Sequence, residues 1–207
     1  MKNFFTRKGV RVVLGIFIVF LLLVLSRVPV VLKKEKSQET VGFIESVRLT
    51  MQDVDGSNLP PKPSPDEVDK TIEGVDVNKN YIRDDVELAI FEMYPDEENI
   101  KLRAASLQYA MALQLYLTHV FSEETWIAAA KQNSRGVGCL YRALPRVTLE
   151  DGKEAVDRFS KEIDSIEEGI YNLVLNTEKR NVHNTYLYES YTASNDGYEG
   201  NACDLDM

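Results

Sequence analysis

The stretch from Leu102 to Leu117 restricts the fold more than any other part of this sequence. Leu102, Ala105, Tyr109, Ala112 and Tyr116 line one stripe of a helix, and Leu107, Ala110, Met111, Leu113, Leu115 and Leu117 fill the other sides. A helix that is apolar nearly all round has no face to offer to water, so it belongs in the middle of a bundle. Two neighbours are legible. One starts at Ser122, with Glu123 and Glu124 in its first turn, and carries Ile127, Ala130, Val137, Tyr141 and Leu144 on one face. Gly136 and Gly138 fall inside it and predict either a kink or a close helix crossing. The other covers residues 153–179, where Val156, Phe159, Ile163, Ile166, Ile170, Leu173 and Thr177 alternate in steps of three and four. Glu154 with Arg158 and Asp157 with Lys161 support its outer face. Short connections favour an antiparallel arrangement, and the expected class is all-α, a helical bundle of three long helices with shorter ones beside it.

Residues 12–25 form an unbroken apolar run behind Lys2, Arg7, Lys8 and Arg11, the layout of a signal sequence or a signal anchor. The run alone spans about 21 Å of a hydrocarbon layer of roughly 30 Å; extension to Leu32 makes it long enough, provided Arg27 snorkels or meets a partner. Cleavage after Ser26 is the alternative to an anchor, but there is no Ala-x-Ala and no cysteine for lipid attachment nearby. The expectation is an uncleaved transmembrane anchor over residues 1–32. Cys139 and Cys203 form an even pair, read as a disulfide in an exported chain; one buried and one free thiol is the alternative. The bridge would close a loop worth about 4 kcal/mol on the chain-entropy account. The balance of 33 acidic against 24 basic residues, a net charge of −9, speaks against nucleic acid as a partner and for divalent cations.

Residues 33–63 read as a juxtamembrane linker whose end, with Pro60, Pro61 and Pro63, is a stiff spacer. Within it Val41, Phe43, Val47, Leu49 and Met51 follow a period of two and suggest a short strand. The body is expected over residues 64–180. Ser64-Pro65-Asp66-Glu67 has the pattern of a capping box, predicting a helix to Glu73 that Gly74 ends. Val86, Ala89, Ile90 and Met93 predict another short helix, stopping near Tyr94-Pro95. Residues 181–207 read as an irregular tail tied down by the disulfide.

Between these two short helices lie Asp76, Asn78, Asn80, Ile82, Asp84 and Glu87, at the first, third, fifth, seventh, ninth and twelfth places of a twelve-residue loop. Calcium takes six to eight oxygens at loosely constrained angles, and each of these places supplies one, Ile82 through its carbonyl. Asp84 or Asp85 also suits the cap of the exiting helix. The segment resembles an EF-hand loop and the related short loops of thrombospondin type 3-like bacterial calcium repeats. The resemblance covers only the loop and its flanking helices. It implies that Asp76, Asn78, Asn80, Asp84 and Glu87 are side-chain ligands and Ile82 a carbonyl ligand. The sixth place, glycine in that pattern, is Tyr81, which costs about 1 kcal/mol or more in a left-handed conformation or forces another path. Three carboxylates and this substitution point to a weak, structural site for extracellular calcium. With the short N-terminal tail, the loop favours a body outside the cytoplasm.

Other chemistry-bearing residues point less sharply. His119 and His183 lack a third partner for zinc. Trp126, Tyr109, Tyr116 and Tyr141 suggest a core aromatic cluster. Glu123, Glu124, Glu167 and Glu168 could pair for glycoside hydrolysis, though such pairs are ordinarily a solvated helix face. No serine-nucleophile, zinc-protease or phosphate-loop motif occurs. The sequence therefore predicts a membrane-tethered helical binding or scaffold protein of the cell envelope with one calcium ion and an envelope protein partner. An acid-based envelope hydrolase and a calcium sensor are the alternatives.

Overall fold

A computed structural model describes residues 7–206, with side chains from Val12 onward. Lys2 and the side chains of Arg7, Lys8 and Arg11 lie outside the described residues. The chain divides into two compact units, one up to Glu39 and one from Thr40.

The first unit is most of α1 (Arg7–Ser46), which continues through Pro29. Its apolar side chains from Val12 to Leu32 are all exposed.

The second unit contains the end of α1 and α2 (Met51–Asp55), α3 (Pro65–Val68), α4 (Asp84–Met93), α5 (Ile100–His119), α6 (Glu123–Ala143), α7 (Lys153–Val174) and α8 (Glu178–Tyr191). No strand occurs among the described residues. The class is all-α. As its composition requires, α5 is buried on every side and touches α2, α4, α6, α7 and α8. Leu107, Met111, Leu115, Leu140, Ile163 and Ile170 form the centre of the core.

The glycines of α6 serve a close crossing, and the helix runs unbroken through them. A Cβ on Gly136 would stand 2.9 Å from the Cα of Tyr109 in α5, and one on Gly138 would meet the Tyr198 hydroxyl and Ala202 of the tail. The Cys139–Cys203 disulfide is formed. Around it the tail is also held by Gln108, which donates to the Ala202 carbonyl and accepts from the Asp204 N–H. The buried Asp204 carboxylate takes both Arg48 and Arg135.

Four expectations change. The stretch 41–51 is not a strand: α1 extends to Ser46, because Phe43, Ile44 and Val47 share a helix face and Ile44, outside the period-two pattern, is fully buried. Much of the expected linker 33–63 belongs to the body, since Val47, Leu49 and Val54 are core residues. The helix from Ser64 stops at Val68 and its capping box is not made; the Glu67 N–H donates to the Ser64 carbonyl. Arg180 then takes the carbonyls of Val68, Thr71 and Ile72, holding that chain irregular. Finally, α7 ends at Val174, and much of the expected tail is α8, capped by Thr177 and anchored by the buried Arg180 and Leu187.

These glycines predict opposite outcomes in urea unfolding. Gly136→Ala should destabilise by about 1–3 kcal/mol, because the obstacle is the α5 backbone. Gly169→Ala in α7, where a Cβ meets nothing within 4 Å, should stabilise by about 0.5–1 kcal/mol.

Candidate metal centre

The loop 76–87 is fixed to the core at its middle and exit. Ile82 is 1% exposed and joins the core cluster. Arg83, equally buried, donates to the carbonyls of Leu173 and Val174 at the end of α7 and pairs with Asp85. The Asp84 N–H donates to the Val75 carbonyl at 2.8 Å, closing the loop. Val86 and Ile90 then pack inward from α4, and this carries Glu87 out of solvent.

Asp76, at the first place, accepts the Tyr81 N–H at 3.0 Å through Oδ2. Asp84 accepts the Val77 N–H at 3.0 Å through Oδ1. Asn78 donates through Nδ2 to the Asn58 carbonyl at 2.8 Å and to Glu87 Oε2 at 3.0 Å. Each of these four side chains keeps one buried oxygen without a partner: Asp76 Oδ1, Asn78 Oδ1, Asp84 Oδ2 and Glu87 Oε1. Of eight such buried side-chain atoms among the described residues, five lie in this loop, which singles it out from the rest of the body. Asn80 is turned the other way: its Oδ1 accepts the Ile82 N–H, and its buried Nδ2, the fifth atom without a well-formed hydrogen bond, is directed at Glu87.

The backbone of Tyr81 is left-handed, with φ 65°, and that of Lys79 is left-handed as well at 60°. The Tyr81 ring rests edge-on against Phe43 at 5.2 Å, a contact that offsets part of the backbone cost. Neither Asp84 nor Asp85 caps α4; Arg83 holds the cap position, Asp85 turns to its guanidinium, and Asp84 turns to the loop.

Among the described residues no ion pair to Asp76, Asp84 or Glu87 is formed by the buried arginines. The ion pairs of the buried arginines go to Asp69, Asp85 and Asp204. Asp84 and Glu87 are fully buried, and burial pushes the carboxyls of Asp76 and Asp84 up. Glu87 is pushed up to about 7, by burial first and then by neighbouring Asp53 and Asp84, against the hydrogen bonds from asparagine. Among the described residues no three His, Cys, Asp or Glu side chains converge closely enough to hold an ion by themselves. A cation here therefore needs the Asn78 amide, main-chain oxygen and closure of the loop around it. The unpartnered oxygens, hard and mostly anionic, fit calcium in kind.

Sequence reasoning missed Asp53, a buried carboxylate of α2 that acts electrostatically on both Asp76 and Glu87. In the sequence it falls in the run Asp53, Asp55, Ser57 and Asn58, inside the expected linker 33–63. The other candidates separate. His119 meets Phe43 and Thr118, while His183 meets the Leu117 carbonyl and Tyr186. Trp126 donates to the Tyr116 hydroxyl, whereas Tyr141 packs on Phe159 and Tyr109 crosses Gly136. Glu123, Glu124 and Glu168 are exposed, and Glu167 is half-buried.

Comparison with protein-family models, curated proteins and solved structures finds no match to this chain.

The carboxyl environment sets a pH dependence for the metal-free protein. Folded Glu87 holds its proton up to about 7, whereas an unfolded glutamate releases it near 4.5. The folded state binds more protons in that window, so the contribution of Glu87 to stability is fully present below about 4.5 and is lost as pH rises through 7. Asp76 and Asp84 act with the same sign. Thermal melts in chelator should show this decline, and Glu87→Gln should flatten it while raising the melting temperature at pH 8.

Proposed function

We propose that this chain is a membrane-anchored helical binding or scaffold module of the cell envelope, with its body outside the cytoplasm and one structural calcium ion in the loop 76–87. The observation that carries the calcium reading is the set of four buried, unpartnered oxygens on Asp76, Asn78, Asp84 and Glu87. They come from the first, third, ninth and twelfth places of the loop, in a body that leaves few such atoms elsewhere. The Ile82 carbonyl and a rotated Asn80 amide are the remaining donors. Two oxygens of Glu87 in the first turn of α4 give the site its strongest ligand, and the positive end of the helix dipole favours anionic groups there.

The anchor reading rests on α1. Residues from Val12 are apolar enough to cross a bilayer by length and composition. The stretch to Leu32 rises about 32 Å as a helix, matching a hydrocarbon layer of roughly 30 Å. A wholly exposed apolar surface of that length calls for lipid around it. The disulfide agrees with an oxidising compartment. An envelope protein is the partner class that a tethered body without a recognised catalytic constellation would serve.

Calorimetric titration of calcium into the full chain in detergent micelles tests the site. Saturable binding in the millimolar range or tighter is expected, with none for Glu87→Gln. At a hundredfold excess over Kd, the ion should add about 2.7 kcal/mol, or roughly 5–10 °C in melting temperature. A flat titration, or a melting temperature indifferent to chelator, would remove the ion from the protein.

A further inference from the structure

We propose that Asn78 is a bridge, ligating calcium through Oδ1 while its Nδ2 clamps the turn after α2, so that the ion orders residues 50–58 as well as its own loop. This rests on the calcium reading above and adds a second element to the site. The segment it orders carries the chain from the end of α1 into the body.

The Asn78 amide has two hydrogens to donate. Both are used, one on the Asn58 carbonyl at 2.8 Å and one on Glu87 Oε2 at 3.0 Å, and the geometry leaves Oδ1 buried and unpartnered. The Asn58 carbonyl thus selects the amide orientation that presents oxygen to a cation, the role an outer-sphere partner has in metal sites. From there a relay runs through α2. Asn58 Nδ2 donates to Asp53 Oδ1 at 2.8 Å, and Asp53 Oδ2 accepts the Thr50 N–H and hydroxyl at 2.8 and 2.6 Å. The Asn58 N–H returns to the Gln52 carbonyl. Asp53 is buried, and it acts electrostatically on Asp76 and Glu87, within the cluster that calcium would neutralise.

The bridge makes a prediction opposite in sign to that for a self-contained loop. There, Asn→Asp at the third place adds a charged ligand without changing size and tightens calcium binding. Here an aspartate has no hydrogen to give, and its second oxygen would face the Asn58 carbonyl and the Glu87 carboxylate.

The test uses the full chain in detergent micelles. Hydrogen–deuterium exchange with and without millimolar calcium should show slowing at residues 50–58 as well as 76–87 in wild type. Asn78→Asp should bind calcium about tenfold more weakly and lose the slowing at 50–58. If wild type binds calcium but the slowing is confined to 76–87, the bridge is overturned and the site stands alone. Asn78→Asp binding as tightly as wild type, or more tightly, overturns it equally. A flat wild-type titration overturns both the bridge and the calcium reading, and is told apart by that titration alone.

Discussion

Because α5 has no solvent face, α2, α4, α6, α7 and α8 are arranged to cover it, and the candidate metal centre is a by-product of that covering. Helix α4 lies against α5 with Val86 and Ile90 turned inward, each contributing about 1.5–3 kcal/mol on burial. Glu87 follows Val86 directly and is taken out of water with it. A carboxylate so placed costs several kcal/mol unless it is paired, ligated or protonated. The fold can carry it because apolar neighbours on both sides outweigh it, which makes the acid a tolerated load and not a source of stability in the metal-free protein.

The rest of the body shows that unpaired charge is not its habit. Arg103 takes the carbonyls of Val54, Tyr94 and Pro95 and lies over the Phe91 ring. Arg83 takes the last carbonyls of α7, and Arg180 those of the irregular stretch after α3. In each case a planar guanidinium satisfies several main-chain oxygens that a helix end or loop leaves open. The irregular segments, α2 to α4 above all, are held by these arginines. None of them turns to Asp76, Asp84 or Glu87, although Arg83 lies within the same loop and pairs with Asp85 instead.

What the sequence made legible follows from where the physics is local. The all-round apolar α5, the three-and-four spacing of α7 and the Ser122 cap of α6 are periodic or adjacent signals, and the three helices form there, α7 stopping short at Val174. So does the disulfide, an even pair. The spacing of Asp76 to Glu87 is also a local signal, and four of these side chains each keep a buried oxygen without a partner. By contrast, α8 buries little beyond Leu187 and the wholly polar Arg180, so no apolar stripe announces it. The burial of Asp53 comes with the packing of α2 against α5, which is distant in sequence and which no spacing rule carries. Ile44 was overlooked for a related reason: a period-two pattern in its neighbours fits a strand and a helix end about equally over so few residues.

The loop's backbone and its acids are stabilised by different parts of the structure. Two non-glycine residues in the left-handed region cost about 1–3 kcal/mol each and persist only where their surroundings fix them. Those surroundings are the Tyr81 ring on Phe43, the Ile82 side chain in the core and Arg83 on α7, and none of them needs the carboxylates to be ionised. The path of the loop is therefore set by apolar and main-chain contacts, and the oxygens are presented by a scaffold that exists without them. On the proposed calcium reading the site begins partly organised, and filling it would tighten the contacts its ligands already make. Asn78, with one Nδ2 hydrogen on the Asn58 carbonyl and the other on Glu87, is the point through which that tightening would leave the loop.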